Sequence, residues 1–235
     1  MPNHVTNELV ISASEEVVNN IYQECGTKCE SVHEKAYDGT LIYTKRSTNE
    51  VGYLDENTGV FKIRKKQKLV IGAIDGFEPS MSEERYVFPD FNKIIPQPDN
   101  LYKENLTSEK EIELDIKGIP NWYTWNVKNW NTKWNSYEHL ELEHGSYRFL
   151  TAWSNVIVVI IALSKKYPKA SFHYRWCDED ISYNLGECFI ENGEIIKENI
   201  PIEGSKEAYE LCFEMDEIRD DYKLVNGNYE FIEED

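Results

Sequence analysis

The sequence predicts an α+β protein, with a ferredoxin-like split β-α-β core, an inserted β meander and an acidic C-terminal helix. Three observations support this fold class. A strand pattern followed by a helix pattern opens the chain, and a strand–helix–strand series recurs between residues 146 and 176. Short β-type runs punctuated by turn residues separate the two. Two helices on one face of an antiparallel sheet would bury their apolar stripes together.

The start of the chain is the clearest strand–helix unit. Val5, Leu9 and Ile11 fall on one side of an alternating pattern, which is typical of a half-buried strand. Apolar residues at helical spacing follow, and Gly26 supplies a helix stop. This pattern predicts a strand and then a helix that ends at Gly26.

The remaining core elements follow from the same signals. Residues 156–166 predict a helix, because paired lysines lie near its C-terminal end and Pro168 terminates it. Asn192-Gly193 is a strong hairpin signal between two of the later strands. The predicted strands after the insertion are 86–95, 137–142, 146–152, 171–176, 182–190 and 194–200.

These elements divide the chain into three parts. Residues 1–26 plus 81–202 form the predicted ferredoxin-like core, and residues 27–80 form the inserted meander. Residues 203–235 form an acidic C-terminal helix and tail, with the helix running from Ser205 to about Asp221.

Composition excludes several classes of protein. The 235 residues have a net charge of −18, which repels phosphate and disfavours direct nucleic-acid binding. The longest apolar run, 156–163, is far short of the ~20 residues of a membrane helix, and no secretory signal is visible. Five cysteines without a CxxC pair predict reduced thiols and a cytoplasmic location.

Several segments resemble a known family. They read MPNHVTN at 1–7, FNKIIPQP at 91–98, NWYTW at 121–125, NWNTKWN at 129–135 and TAWS at 151–154. With these motifs the chain resembles the YubB-like family of phage, plasmid and genomic-island proteins, although it departs from the family pattern directly after residue 154. The resemblance implies a ferredoxin-like domain, a mobile element as the source and the host cytoplasm as the location. It implies no catalytic motif.

The acidic tail is the strongest candidate for a binding surface. Its carboxylates recur at spacings of three and four residues, so they would form one stripe along a helix. Like charges at this spacing destabilise a helix by a few tenths of a kcal/mol per pair, and a binding function is one reason for a helix to keep them. A carboxylate row imitates a phosphate backbone and would bind a basic host protein that itself handles nucleic acid. Plain solubility of an acidic protein is the alternative explanation. The stripe consists of Glu207, Glu210, Glu214, Glu217 and Asp221.

A second hypothesis is a nucleotide or nucleic-acid binder. Residues 61–68 are the one basic patch, which could equally be an edge strand protected by its lysines. Four tryptophans within 121–134 could stack bases, or could instead fill the core or form a lid. The residues of this hypothesis are Lys62, Arg64, Lys66, Trp122, Trp125, Trp130 and Trp134.

A third hypothesis is a metal-dependent enzyme. His139, Glu141 and Glu143 alternate along a predicted strand, and Asp178 lies in a run of acids after another strand. An amphipathic strand with a solvated face and a charged turn are the simpler explanations. The common nucleotide, hydrolase and zinc-protease motifs are missing from the sequence. We therefore predict a non-catalytic binding protein, with no cofactor, no metal and no catalytic residue.

Overall fold

The structure is a computed structural model with two compact units. The first unit is Met1–Thr27 together with Val87–Asp235, and the second is Lys28–Tyr86. The backbone is described for residues 3–29, 42–45, 50–55, 60–63, 70–72, 77–79, 85–215 and 218–232. Side chains are described for residues 3–27, 87–215 and 218–232.

The elements are named in chain order. The strands are β1 His4–Ser12, β2 Thr27–Cys29, β3 Ile42–Lys45, β4 Glu50–Asp55, β5 Val60–Ile63, β6 Val70–Gly72, β7 Phe77–Pro79, β8 Arg85–Val87, β9 Tyr137–Glu143, β10 Ser146–Ala152, β11 Ser171–Asp178, β12 Gly186–Glu191, β13 Glu194–Asn199, β14 Tyr222–Val225 and β15 Asn228–Phe231. The helices are α1 Glu15–Cys25, α2 Phe91–Ile94, α3 Ser108–Lys117, α4 Trp122–Trp130, α5 Ile157–Lys166 and α6 Lys206–Met215.

The first unit is built on a six-stranded sheet in the order β13-β12-β11-β1-β10-β9. All neighbouring strands are antiparallel. In the centre, Leu9 of β1 lies opposite Tyr147 of β10 and Tyr174 of β11. This mixture of helices with an antiparallel sheet confirms the predicted α+β class.

One face of this sheet carries the main hydrophobic core. Val5, Leu9 and Ile11 are buried there, as their alternation predicts. Val18 and Ile21 of α1 belong to the same core, as do apolar residues of α5. Burying a side chain of this size is worth about 2 kcal/mol, so this face supplies most of the packing energy.

A polar network is buried in this core. The Tyr174 hydroxyl donates a hydrogen bond to Asn7 Oδ1 at 2.6 Å and accepts one from the Val156 backbone N–H at 2.8 Å. Asn7 Nδ2 donates to Thr151 Oγ1 at 2.9 Å. The bonds join β1, β10 and β11 to the start of α5, and each polar group is satisfied, as burial demands.

The opposite face of the sheet carries α6 and a disulfide. Cys177 of β11 is bonded to Cys212 of α6, with a Cα–Cα distance of 5.7 Å. Leu211 and Met215 pack around this bond in a second apolar cluster. The prediction that the thiols are reduced is therefore wrong for this pair, whose approach depends on how α6 docks on β11.

The same face also holds a buried ion cluster. Glu8 is 5% exposed and its carboxylate accepts hydrogen bonds from Arg148 at 2.6 Å and from Arg175 at 2.5 Å. Arg148 also donates to the carbonyl oxygen of Met215, at the end of α6. Because the carboxylate is shared between two cations, removing it would leave Arg148 without an acidic partner among the described residues and Arg175 with Glu214 alone.

The prediction of a core strand over 86–95 is wrong. Only Arg85–Val87 is a strand, and Phe91–Ile94 is a single helical turn. Asp90 caps this turn by accepting a hydrogen bond from the Asn92 backbone N–H at 3.0 Å. Pro89, which precedes Asp90, has no N–H to continue a ladder.

The prediction of one long C-terminal helix is also wrong. The helix ends at Met215, and a short 3-10 turn, Arg219–Asp221, leads into the hairpin of β14 and β15. Asn226 and Gly227 form the turn of this hairpin with φ of 51° and 90°. These positive angles suit Asn-Gly, which is a hairpin signal in the sequence itself.

The second unit contains a five-stranded antiparallel sheet in the order β6-β5-β4-β3-β7. The sequence places the inserted meander at 27–80, and the unit itself spans Lys28–Tyr86. In the described part of the chain, none of the helices has the length and apolar character that crossing a bilayer requires.

Candidate functional site

The acidic stripe is divided among different environments. Glu207 is exposed on α6, whereas Glu210 lies 3.3 Å from the Lys206 ammonium. Glu214 pairs with Arg175 of β11 at 3.1 Å. Two carboxylates of the helix therefore have a cationic neighbour, which weakens the field that the stripe presents to solvent.

The last member of the stripe is not on this helix. Asp221 is exposed in the 3-10 turn, and Glu217 lies outside the described residues. The stripe as a single helical row is therefore wrong, because Asp221 lies beyond the end of α6.

The predicted basic patch falls mostly outside the described part of the chain. Lys62 lies on β5, and its side chain is not among those described. Arg64 and Lys66 lie outside the described residues altogether.

The tryptophans of the 121–134 segment have different roles. Trp130 is buried and donates its indole N–H to the Ile95 carbonyl at 2.9 Å. Trp125 packs edge-on against it, at 5.5 Å between ring centroids. Trp122 donates to the carbonyl of Glu104 at 3.2 Å. These three contribute to packing, so a surface role falls to the fourth member, Trp134.

Trp134 belongs to a cage of three aromatic rings around a cation. The Lys133 ammonium lies 4.7 Å from the ring centroid of Trp134, 5.1 Å from that of Trp153 and 5.9 Å from that of Tyr123. All three distances are within the range of cation–π attraction. We call these three rings the aromatic cage; sequence reasoning identified Trp134 as a candidate but missed Trp153 and Tyr123.

Trp153 is held in a strained backbone conformation. Its φ is 72°, in the left-handed region that costs a non-glycine residue about 1 kcal/mol or more. Its backbone N–H donates to the Asn3 carbonyl at 2.9 Å, and its own carbonyl accepts from the Asn184 amide at 3.0 Å. These bonds hold the indole at the surface, where it is 40% exposed.

A pocket of about 290 Å³ has carboxylates in its lining. Glu138 comes from β9, while Asp178 and Glu179 come from the end of β11. Asp178 is buried and accepts hydrogen bonds from Asn3 at 3.2 Å and from Asn184 at 2.9 Å. Because Asn184 also bonds Trp153, the pocket and the cage share a structural support.

The pocket and its surroundings are electronegative. Burial raises the pKa of Tyr137 to about 12, and the charges of Glu138 and Glu179 add to the effect. Burial also raises the pKa of Tyr222, with further contributions from Asp221 and Asp180. Asp180 directly follows Glu179 of the pocket and, like Asp221, contributes to the raised pKa of Tyr222. We call the exposed carboxylates of Glu138, Glu179, Asp180 and Asp221 the acidic surface.

The predicted metal or acid–base constellation on β9 is not assembled around His139. Its Nε2 lies 2.9 Å from the Ser136 hydroxyl, and burial lowers the pKa of the imidazole to about 4. Leu140 and Leu142 alternate with these residues along the strand, and both are exposed. Among the described residues, no group of three or more His, Cys, Asp or Glu side chains is arranged to hold a metal ion.

A family model supports the ferredoxin-like fold for part of the chain. Residues 129–221, less than half of the chain, match the model of the ferredoxin-like domain in Api92-like protein. A crystal structure of a protein Api92 from Yersinia pseudotuberculosis is similar at 11% identity and a TM-score of 0.41, over 86% of this chain and 99% of that chain. No curated protein matches the chain. The YubB-like family is not confirmed by these comparisons.

Proposed function

We propose that this is a non-catalytic binding protein that engages a basic protein partner through the acidic surface. The single observation behind the proposal is the convergence of carboxylates from β9 and β11 on one pocket, which Asn184 links to the exposed Trp153. No member of the acidic surface has an ion pair with another described residue, whereas Glu210 and Glu214 of α6 do. Carboxylates without an ion pair to a described residue are available to bind a cationic side chain from outside.

The charge of the whole chain favours such a partner. A net charge of −18 attracts a basic protein from a distance and speeds encounter, while the local arrangement decides where that protein docks. Screening shortens this attraction to about 10 Å at 0.1 M salt, so binding should weaken steeply with ionic strength. The acidic positions of α6, chiefly Glu207, would extend the attractive field without forming the contact itself.

The biological setting is a further part of the proposal. The resemblance to mobile-element proteins suggests a phage or plasmid protein that acts in the host cytoplasm. A basic partner there would be a host defence or nucleic-acid-handling protein, which the bound carboxylates would inhibit by occupying its phosphate site. The split β-α-β core is proposed for the same domain, supported by the strand order β11-β1-β10-β9 and by α1 and α5 on one face.

The test measures binding of labelled octalysine by fluorescence anisotropy at low and moderate salt. Glu138→Lys with Glu179→Lys should reduce the affinity by at least tenfold. A matched variant on α3, Glu111→Lys with Asp115→Lys, changes the net charge equally and should reduce it about twofold. Equal losses in the two variants would show that only net charge matters and would refute a localised site.

A further inference from the structure

We infer that the aromatic cage is a binding site for an alkylated ammonium group of a partner protein, such as a methylated lysine, and that Lys133 occupies this site in the free protein. The inference rests on the proposed function, because it names the side chain of the basic partner that enters the site.

The rings already bind an ammonium group. Trp134, Trp153 and Tyr123 surround the Lys133 nitrogen at 4.7, 5.1 and 5.9 Å from their centroids. Tyr123 and Trp153 are nearly perpendicular, at 83°, so they form two walls of a corner. Several aromatic faces around one cation are the arrangement by which proteins recognise quaternary ammonium groups.

The walls are held by contacts that do not involve the Lys133 side chain. Trp153 is fixed on both sides of its backbone by Asn3 and Asn184. Trp134 packs edge-on against Tyr137, with 6.4 Å between ring centroids. The cage should therefore keep its shape when the lysine side chain leaves.

Lys133 can leave without unfolding its loop. Its backbone carbonyl accepts a hydrogen bond from the buried Asn126 amide at 2.9 Å, which holds the main chain in place. No carboxylate of a described residue lies within ion-pair distance of its ammonium. With Trp134 38% and Trp153 40% exposed, the cage is open to solvent on one side.

The cage suits an alkylated ammonium better than the primary ammonium that fills it. A primary ammonium has three N–H donors, and aromatic faces offer them no strong acceptor. A trimethylated ammonium has no donor to satisfy and presents more apolar surface to the rings. Asn184 connects the cage to Asp178, which lines the same pocket as Glu138 and Glu179 of the acidic surface. Neighbouring basic residues of the same peptide would therefore lie near these carboxylates.

The experiment titrates capped Nε-trimethyllysine and capped lysine into ¹⁵N-labelled protein and follows the six indole N–H signals. Trimethyllysine should shift the signals of Trp134 and Trp153 and should bind more tightly than lysine. Lys133→Ala should raise the affinity about tenfold, since the internal competitor is removed. Trp153→Ala should abolish binding, and Trp134→Leu provides the same test if the first variant does not fold.

Two outcomes would overturn the inference. One is the absence of indole shifts in both the wild type and Lys133→Ala. The other is an affinity that Lys133→Ala leaves unchanged or lowers, which would make the lysine a structural latch. Octalysine separates this inference from the proposed function. If the protein binds octalysine but not trimethyllysine, the proposed role of the cage is refuted and that of the acidic surface stands. If it binds trimethyllysine but not octalysine, the proposed role of the acidic surface is refuted and the cage is a site for small cations.

Discussion

Reduction of the bond between Cys177 and Cys212 should lower the free energy of unfolding by about 4 kcal/mol. The two cysteines are 35 positions apart, and closing a loop of this length removes about 4 kcal/mol of chain entropy from the unfolded state at 25 °C. In a protein of this size such a loss corresponds to a melting temperature lower by roughly 8–16 °C. The first unit should still fold, because its main core lies on the other face of the sheet.

The assay is urea unfolding followed by circular dichroism, with and without dithiothreitol. The control replaces both cysteines by alanine, since the pair is buried among apolar side chains, and this variant should not respond to the reductant. Coincident unfolding curves for the wild type under the two conditions would refute the estimate. Reaction of all five cysteines with a thiol reagent in denatured, unreduced protein would show that the bond does not form.

Two further predictions concern charged and titrating groups. Glu8→Leu should cost about 2–3 kcal/mol in urea unfolding, because Arg148 and Arg175 keep their charges beside an apolar side chain and reach water only in part. Replacing both arginines by methionine in that variant should recover most of the loss, and no recovery would contradict an electrostatic cause. Burial lowers the pKa of His139 from 6.5 to about 4 in the folded protein. Below pH 6.5 the unfolded state therefore binds a proton that the folded state does not, and the free energy of unfolding falls as the pH falls from 6.5 toward 4. His139→Gln should therefore flatten the pH dependence of stability between pH 6.5 and 4, and parallel profiles would refute the assignment.

Sequence reasoning was most successful where the signal is local. The alternation of Val5, Leu9 and Ile11 predicted which face of β1 is buried. The lysine pair at the end of α5 and the proline that follows the helix predicted where it ends. It failed at residues 86–95, where an apolar run contains a capped helical turn. It also failed at the C-terminus, where a helical period in the acidic residues was preferred to the Asn226-Gly227 turn signal.

The candidate site could be predicted only in part. Trp134 was singled out because it lies in a cluster of tryptophans, yet its partners in the cage are 11 and 19 residues away, on α4 and after β10. The pairing of Glu214 with Arg175 could not be foreseen either, because it joins α6 to a strand 39 residues earlier. A spacing pattern indicates which residues share a helix face, but not which cation lies opposite them.

The sequence by itself determined the class of the fold, the pattern of the central strand and the strong negative charge. Periodicity depends only on neighbouring residues and net charge only on composition, so neither requires knowledge of long-range contacts. Only the tertiary structure decided which carboxylates are paired, which cysteines meet and which rings surround Lys133. These are contacts between residues far apart in the chain, and their energies depend on distances of a few ångströms that packing alone fixes.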